Sequence, residues 1–172
     1  GDNHGCGYFQ VTEKDGFRCS TAVGYLNPIK NRKNLKIITK AHIKNIEFID
    51  KKAVSVNYWL GNELKSAQTN IEIILSAGSI GSPHILQASG IGPSDLLKEN
   101  DVNVIHENKS VGKNLQDHLM LRPVYKIKNL ETLNEVYHNL YKKMITGINY
   151  LLFRKGALTM GASHLCGFIK SD

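Results

Sequence analysis

The sequence lacks any long hydrophobic run. Its longest apolar stretches, such as Ile73-Ile74-Leu75 and Tyr150-Leu151-Leu152-Phe153, are far below the ~20 residues of a membrane-spanning helix. It also lacks a basic segment leading into an apolar one near Gly1-Asp2-Asn3-His4-Gly5, so no secretory signal is expected. With no initiator methionine there, the chain is expected to begin inside a longer protein. Proline is scarce at 4 residues, which excludes a proline-rich linker. There are only 3 cysteines, Cys6, Cys19 and Cys166, and none lies in a C-x-x-C pair. That spacing excludes a zinc ribbon or a thioredoxin motif, and no metal site is expected. Widely spaced, odd-numbered thiols suit a reducing compartment. The expected location is the cytoplasm, or the periphery of a membrane.

Carboxylates are also in deficit, 15 against 22 Lys and Arg, for a net charge of +7. The excess gathers between Lys30 and Lys52. No arginine–aromatic interleaving and no nucleic-acid motif accompanies it, so it reads as a solvated lysine face and no nucleic-acid partner is expected.

What remains is an ordinary globular composition, 41% hydrophobic over 172 residues, enough to form a core. Residues 7–12 read as a strand, followed by a turn at Lys14-Asp15-Gly16. Ser20 to Leu26 suits a short helix that Asn27-Pro28 should stop. Three β-like runs follow, Leu35–Thr39, Ile43–Ile49 and Ala53–Leu60, the last two joined by a turn at Asp50-Lys51-Lys52. Val54, Val56 and Tyr58 alternate with Ser55, Asn57 and Trp59, the mark of a strand with one buried face. Gly61-Asn62 reads as a hairpin turn into Glu63–Gln68. Ile71–Leu75 is nearly all apolar and runs into Ser76-Ala77-Gly78-Ser79. That is the pattern of a buried strand of a parallel α/β sheet. A helix is expected after this turn, with Pro83 in its first turn and Ser89-Gly90 at its end. A second short helix follows Pro93. Strands are expected at Val102–Ile105, Leu121–Ile127 and Cys166–Lys170. One long helix is expected over residues 133–153, with Val136, Leu140, Met144, Ile148 and Leu151 on its core face.

The segment Gly78-Ser79-Ile80-Gly81-Ser82-Pro83-His84-Ile85-Leu86-Gln87-Ala88-Ser89-Gly90-Ile91-Gly92 carries the most information. Small residues where a strand meets a helix admit a close backbone approach, and the helix start offers unpaired N–H groups. The same pattern also serves plain strand-to-helix packing. The segment resembles the second signature of the glucose–methanol–choline (GMC) oxidoreductases, flavoenzymes that oxidise alcohols. Gly78, Ser79, Ser82, Pro83, Ile85, Leu86, Ser89, Gly90, Ile91 and Gly92 occupy its constrained positions. Other segments agree with the family: Gly16 to Pro28, Asn34 to Thr39, and Val111-Gly112-Lys113-Asn114-Leu115-Gln116-Asp117-His118. Gly7-Tyr8-Phe9-Gln10, Arg18-Cys19-Ser20-Thr21-Ala22 and Gly167-Phe168-Ile169 are similar to its choline dehydrogenase-like branch.

The resemblance implies an α/β fold with mixed α+β character. Residues 1–120 would belong to a Rossmann-like FAD-binding domain, and residues 121–172 would begin an antiparallel-sheet substrate domain. It implies FAD as cofactor and a small-molecule alcohol, choline or another primary alcohol, as substrate, oxidised to the aldehyde by hydride transfer to flavin. No segment specifies the electron acceptor. By resemblance, Ile43 matches a position whose backbone contacts the flavin adenine, and Ala77 and Gly78 lie near the adenosine half of FAD. The family's G-x-G-x-x-G pyrophosphate turn and its C-terminal catalytic histidine have no counterpart in this sequence. His4, His42, His84, His106, His118, His138 and His164 all lie outside the matching motif, so no catalytic residue is assigned. The alternatives are an inactive fragment or a stand-alone binding module. A hydrolase triad of Asp117 and His118 with Ser20 or Ser89 lacks the G-x-S-x-G turn that would support it.

Overall fold

The computed structural model describes residues 4–161 and 165–169. His164 and Lys170, the expected end of the last strand, lie outside them. In chain order the strands are β1 (Gly5–Tyr8), β2 (Glu13–Lys14), β3 (Phe17–Arg18), β4 (Ala41–Ile49), β5 (Lys52–Leu60), β6 (Glu63–Gln68), β7 (Ile91–Gly92), β8 (His106–Glu107) and β9 (Leu165–Phe168). The α-helices are α1 (Gly78–Ala88), α2 (Ser94–Glu99), α3 (Leu133–His138) and α4 (Leu140–Phe153). The chain divides into two units, residues 37–121 and residues 1–36 with 122–172.

The first of these units is built on an antiparallel meander in the order β4-β5-β6. Its first turn is Asp50-Lys51, with φ of 49° and 65°. Two successive left-handed residues match the twist of a tight hairpin. His42 pairs with Trp59, Ile46 with Val56 and Glu47 with Ser55, with irregularities at Ile43/Asn45 and Glu47/Phe48. Tyr58 is buried, as the alternation in β5 requires, and so is Ile46 on β4. Ser55, on the opposite parity, is buried too, at 3% exposure. Its hydroxyl donates to Glu47 Oε2 at 2.7 Å, which satisfies it there. Helix α1 packs along β4, the edge strand.

Ile71–Leu75 does not form the expected buried strand. It pairs with no strand among the described residues, and Ile71 and Ile74 are 89% and 79% exposed. A parallel strand is held by neighbours on both sides and helices on both faces, and the described residues supply none of these here. Leu35–Thr39 and Leu121–Ile127 likewise form no strand. The strand expected at Val102–Ile105 falls instead on β8, which pairs parallel with β7. Helix α2 buries Leu97, 2% exposed.

In the other unit β1 pairs antiparallel with β9. Cys6 faces Gly167 and Gly7 faces Cys166, so the two thiols point to opposite sides, and both are free. The expected turn at Asp15-Gly16 closes the hairpin β2–β3. Tyr150 donates its hydroxyl to Gly16 O at 3.3 Å. The Arg154 guanidinium lies 4.5 Å from the centre of the Phe17 ring and 5.0 Å from that of Tyr150.

Ala22–Leu26 is a π-helical turn rather than an α-helix. Asn27 keeps a helical conformation before Pro28 because its N–H closes this wider turn on Ala22 O at 2.8 Å. The long helix expected over 133–153 is broken at Asn139, whose backbone is extended. The Asn139 carboxamide oxygen caps α4 by accepting from Lys142 N–H at 3.1 Å. Thr132 and Glu135 form a capping box at the start of α3. An ion pair with Glu131 raises the pKa of Lys142, through the hydrogen bond first and charge second. Leu140, Met144, Ile148 and Leu151 are exposed, so the described residues supply no core for this stripe.

Candidate functional site

The three residues singled out from the sequence converge on one place in the 37–121 unit. Ile43 and Ala77 line the same cleft, of about 320 Å³. Ile46 and Val56 line it from the sheet, Ile85 lines it from α1, and the run Ile73 to Ala77 lines it as well. Gly78 follows as the first residue of α1. None of the lining side chains is ionisable, and Ser76 is the polar one. Such walls suit a planar, uncharged group held by its apolar face.

Gly78 has φ +84°, and a Cβ built there would meet nothing within 4 Å. Its backbone conformation, not crowding, demands glycine. The helix therefore begins before Ser82 and Pro83, and Pro83 sits inside α1 rather than in its first turn. Ser82 compensates near that start, its Oγ accepting from Ala77 N–H at 3.0 Å.

Strand β4 presents an edge with no neighbouring strand among the described residues. One of its edge amides, Ile46 N–H, is taken by Ser89 Oγ at 2.7 Å. Ser89 in turn donates to Ile85 O at 2.6 Å. This joint was not legible in the sequence as a contact. The only signal was the place of Ser89 among the constrained positions of the signature.

Past Ser89 the chain turns at Gly90, whose carbonyl accepts from Ile105 N–H at 2.8 Å and His106 N–H at 3.1 Å. Gln87 Nε2 donates to Val111 O at 3.2 Å and so ties the loop after β8 to α1. A second, smaller cleft of about 230 Å³ shares Ile43 and Ile85 and is lined also by His42, Lys44, Trp59 and His84.

The hydrolase alternative needs a hydrogen bond from Ser89 to the His118 ring, and none is made among the described residues. Ser89 commits its proton to Ile85 O, and Asp117 accepts from the backbone N–H of His118 at 2.7 Å. No group of three or more metal-ligating side chains gathers among the described residues. No described helix is long and apolar enough to cross a membrane.

Comparison with known proteins gives consistent findings. The family model for GMC oxidoreductase matches residues 1–120. The alcohol dehydrogenase [acceptor] of Pseudomonas putida is 36% identical over 170 residues, covering 98% of this chain and 31% of that protein. The oxygen-dependent choline dehydrogenase of Pectobacterium atrosepticum is 49% identical over 118 residues, 69% of this chain and 21% of that protein. Among solved structures, formate oxidase of Aspergillus oryzae RIB40 superposes with a TM-score of 0.82 at 25% identity, over 98% of this chain and 29% of that one. An FAD-dependent oxidoreductase of Chaetomium thermophilum superposes at 0.76 with 28% identity, over 88% and 27% respectively. The chain thus spans about a third or less of the length of these relatives.

Proposed function

This chain belongs to the GMC oxidoreductase family, and from that membership we propose that it is a section of an FAD-dependent alcohol oxidoreductase whose apolar cleft faces the adenosine half of FAD. Residues 1–120 are assigned to the FAD-binding domain and residues 121–172 to the beginning of the substrate domain. The observation that carries the reading is the cleft that Ile43 and Ala77 share beside the left-handed Gly78.

The residues present fit part of the cofactor. A volume of about 320 Å³ lies at the low end of the roughly 300–1,000 Å³ of ligand pockets, enough for one end of a dinucleotide. Apolar side chains would cover the faces of an adenine ring. The backbone edge of β4 at Ile43 would supply donors and acceptors to its rim. Ala77 and Gly78 would keep the strand-to-helix corner free of bulk. When bound, the flavin supplies the hydride acceptor for alcohol oxidation. The described residues assign no group to the removal of the hydroxyl proton. A primary alcohol is the proposed substrate class, choline foremost, on the strength of the choline dehydrogenase relative.

The test is made on the intact gene product. Its flavin spectrum and the anaerobic bleaching of that spectrum by choline and other primary alcohols are recorded. Bleaching supports the reading. A protein that takes up no FAD overturns it, and one that holds FAD unreduced by any alcohol favours the binding-module alternative. The 172 residues alone are expected to give no turnover.

A further inference from the structure

We propose that Ser89 is a positioning residue that sets the width of the apolar cleft and thereby the affinity for the adenosine half of FAD. This rests on the functional reading above and adds to it a residue that touches no ligand. Ser89 is 6% exposed, and its hydroxyl is engaged on both sides, accepting from Ile46 N–H at 2.7 Å and donating to Ile85 O at 2.6 Å. Ile46 and Ile85 both line the cleft, one from β4 and one from α1. One hydroxyl therefore fastens two of its walls together.

The location gives the joint its force. Ile46 lies on the edge strand of the meander, where no neighbouring strand among the described residues takes its amide. Ser89 stands in for that strand at a single point, 43 residues away in sequence. Its own backbone is fixed from the far side by Gly90, whose carbonyl holds Ile105 and His106. Ser89 is thus an anchored post, and Ile43, earlier on the same strand, takes its place relative to Ala77 from it. Removing the hydroxyl leaves a buried amide without a partner, and the edge strand is then free to move away from α1.

The experiment compares Ser89→Ala and Ser89→Thr with the unmutated intact gene product. It measures FAD affinity of the apoprotein, KM and kcat for the alcohol at saturating FAD, and amide exchange at Ile46. Ser89→Ala is expected to weaken FAD binding roughly tenfold, the order of one buried hydrogen bond, and to speed exchange at Ile46. The alcohol KM should stay put once FAD is saturating. Ser89→Thr keeps the hydroxyl and should recover most of the affinity. If Ser89→Ala binds FAD like the unmutated protein while Ile46 exchange quickens, the joint is structural only and the inference falls, with the functional reading intact. If the unmutated protein binds no FAD, the functional reading itself falls. Should Ser89→Ala fail to fold, the unmutated protein still decides. FAD must slow exchange at Ile46, and unchanged exchange overturns the inference.

Discussion

Gly90 offers the sharpest test of the packing around α1. It has φ +85°, and a Cβ added there would stand 2.4 Å from Asn103 O and 2.7 Å from Ile105 Cγ1. The first neighbour is backbone, and it cannot withdraw cheaply. It belongs to the segment that Gly90 itself holds through Ile105 and His106. Gly90→Ala therefore meets two costs. The left-handed conformation costs about 1–2 kcal/mol for a residue with a Cβ. Moving the segment aside disturbs two backbone hydrogen bonds at about 1 kcal/mol each. The expected loss is about 3–4 kcal/mol, a large part of an ordinary domain's stability of roughly 5–15 kcal/mol. Gly61→Ala is the control. Its φ is +61° and a Cβ there meets nothing within 4 Å, so it carries only the conformational cost of about 1–2 kcal/mol. Urea unfolding of the two variants, at unchanged m-value, isolates the collision as their difference. A difference under about 1 kcal/mol would refute the claim that the end of α1 is rigidly seated.

Two further perturbations probe the other joints. Arg154→Ala removes the cation from two aromatic faces, a loss of roughly 0.5–1 kcal/mol each where exposed. Arg154 also has φ 53°, so Arg154→Gly loses the same contacts but relieves about 1 kcal/mol of left-handed strain. Thermal unfolding should rank Gly above Ala, and the reverse order contradicts the strain argument. Ser55→Ala takes a donor from the part-buried contact with the exposed Glu47 carboxylate and should lower stability by about 0.5–1.5 kcal/mol. Glu47→Gln, which keeps an acceptor, should cost less. Urea midpoints check both, and a Ser55→Ala midpoint equal to the unmutated one removes any structural weight from that bond.

What was legible in the sequence follows how near each residue's partner lies along the chain. The turns at Asp50-Lys51 and Gly61-Asn62 were readable because a hairpin turn depends on the residues in it. The stop at Ser89-Gly90 was readable for the same reason. Ile71–Leu75 misled because apolar patterning states what a strand requires, not whether neighbours stand beside it. Asn139 escaped because its cap on Lys142 is a side-chain contact inside an unbroken helical periodicity. Pro83 suggested a later helix start, whereas Ser82 and the left-handed Gly78 allow an earlier one. At the candidate site, the resemblance pointed to Ile43, Ala77 and Gly78, but Ile46, Val56 and Ile85 complete the cleft only once β4, β5 and α1 are packed. Ser89 makes the general point. A fixed position in a motif invites a ligand role, yet this hydroxyl is spent within the protein, on a strand 43 residues away. Gly90 likewise serves a neighbouring backbone. A motif's constrained positions therefore mix those that face a ligand with those that hold the walls facing it, and geometry is what separates the two.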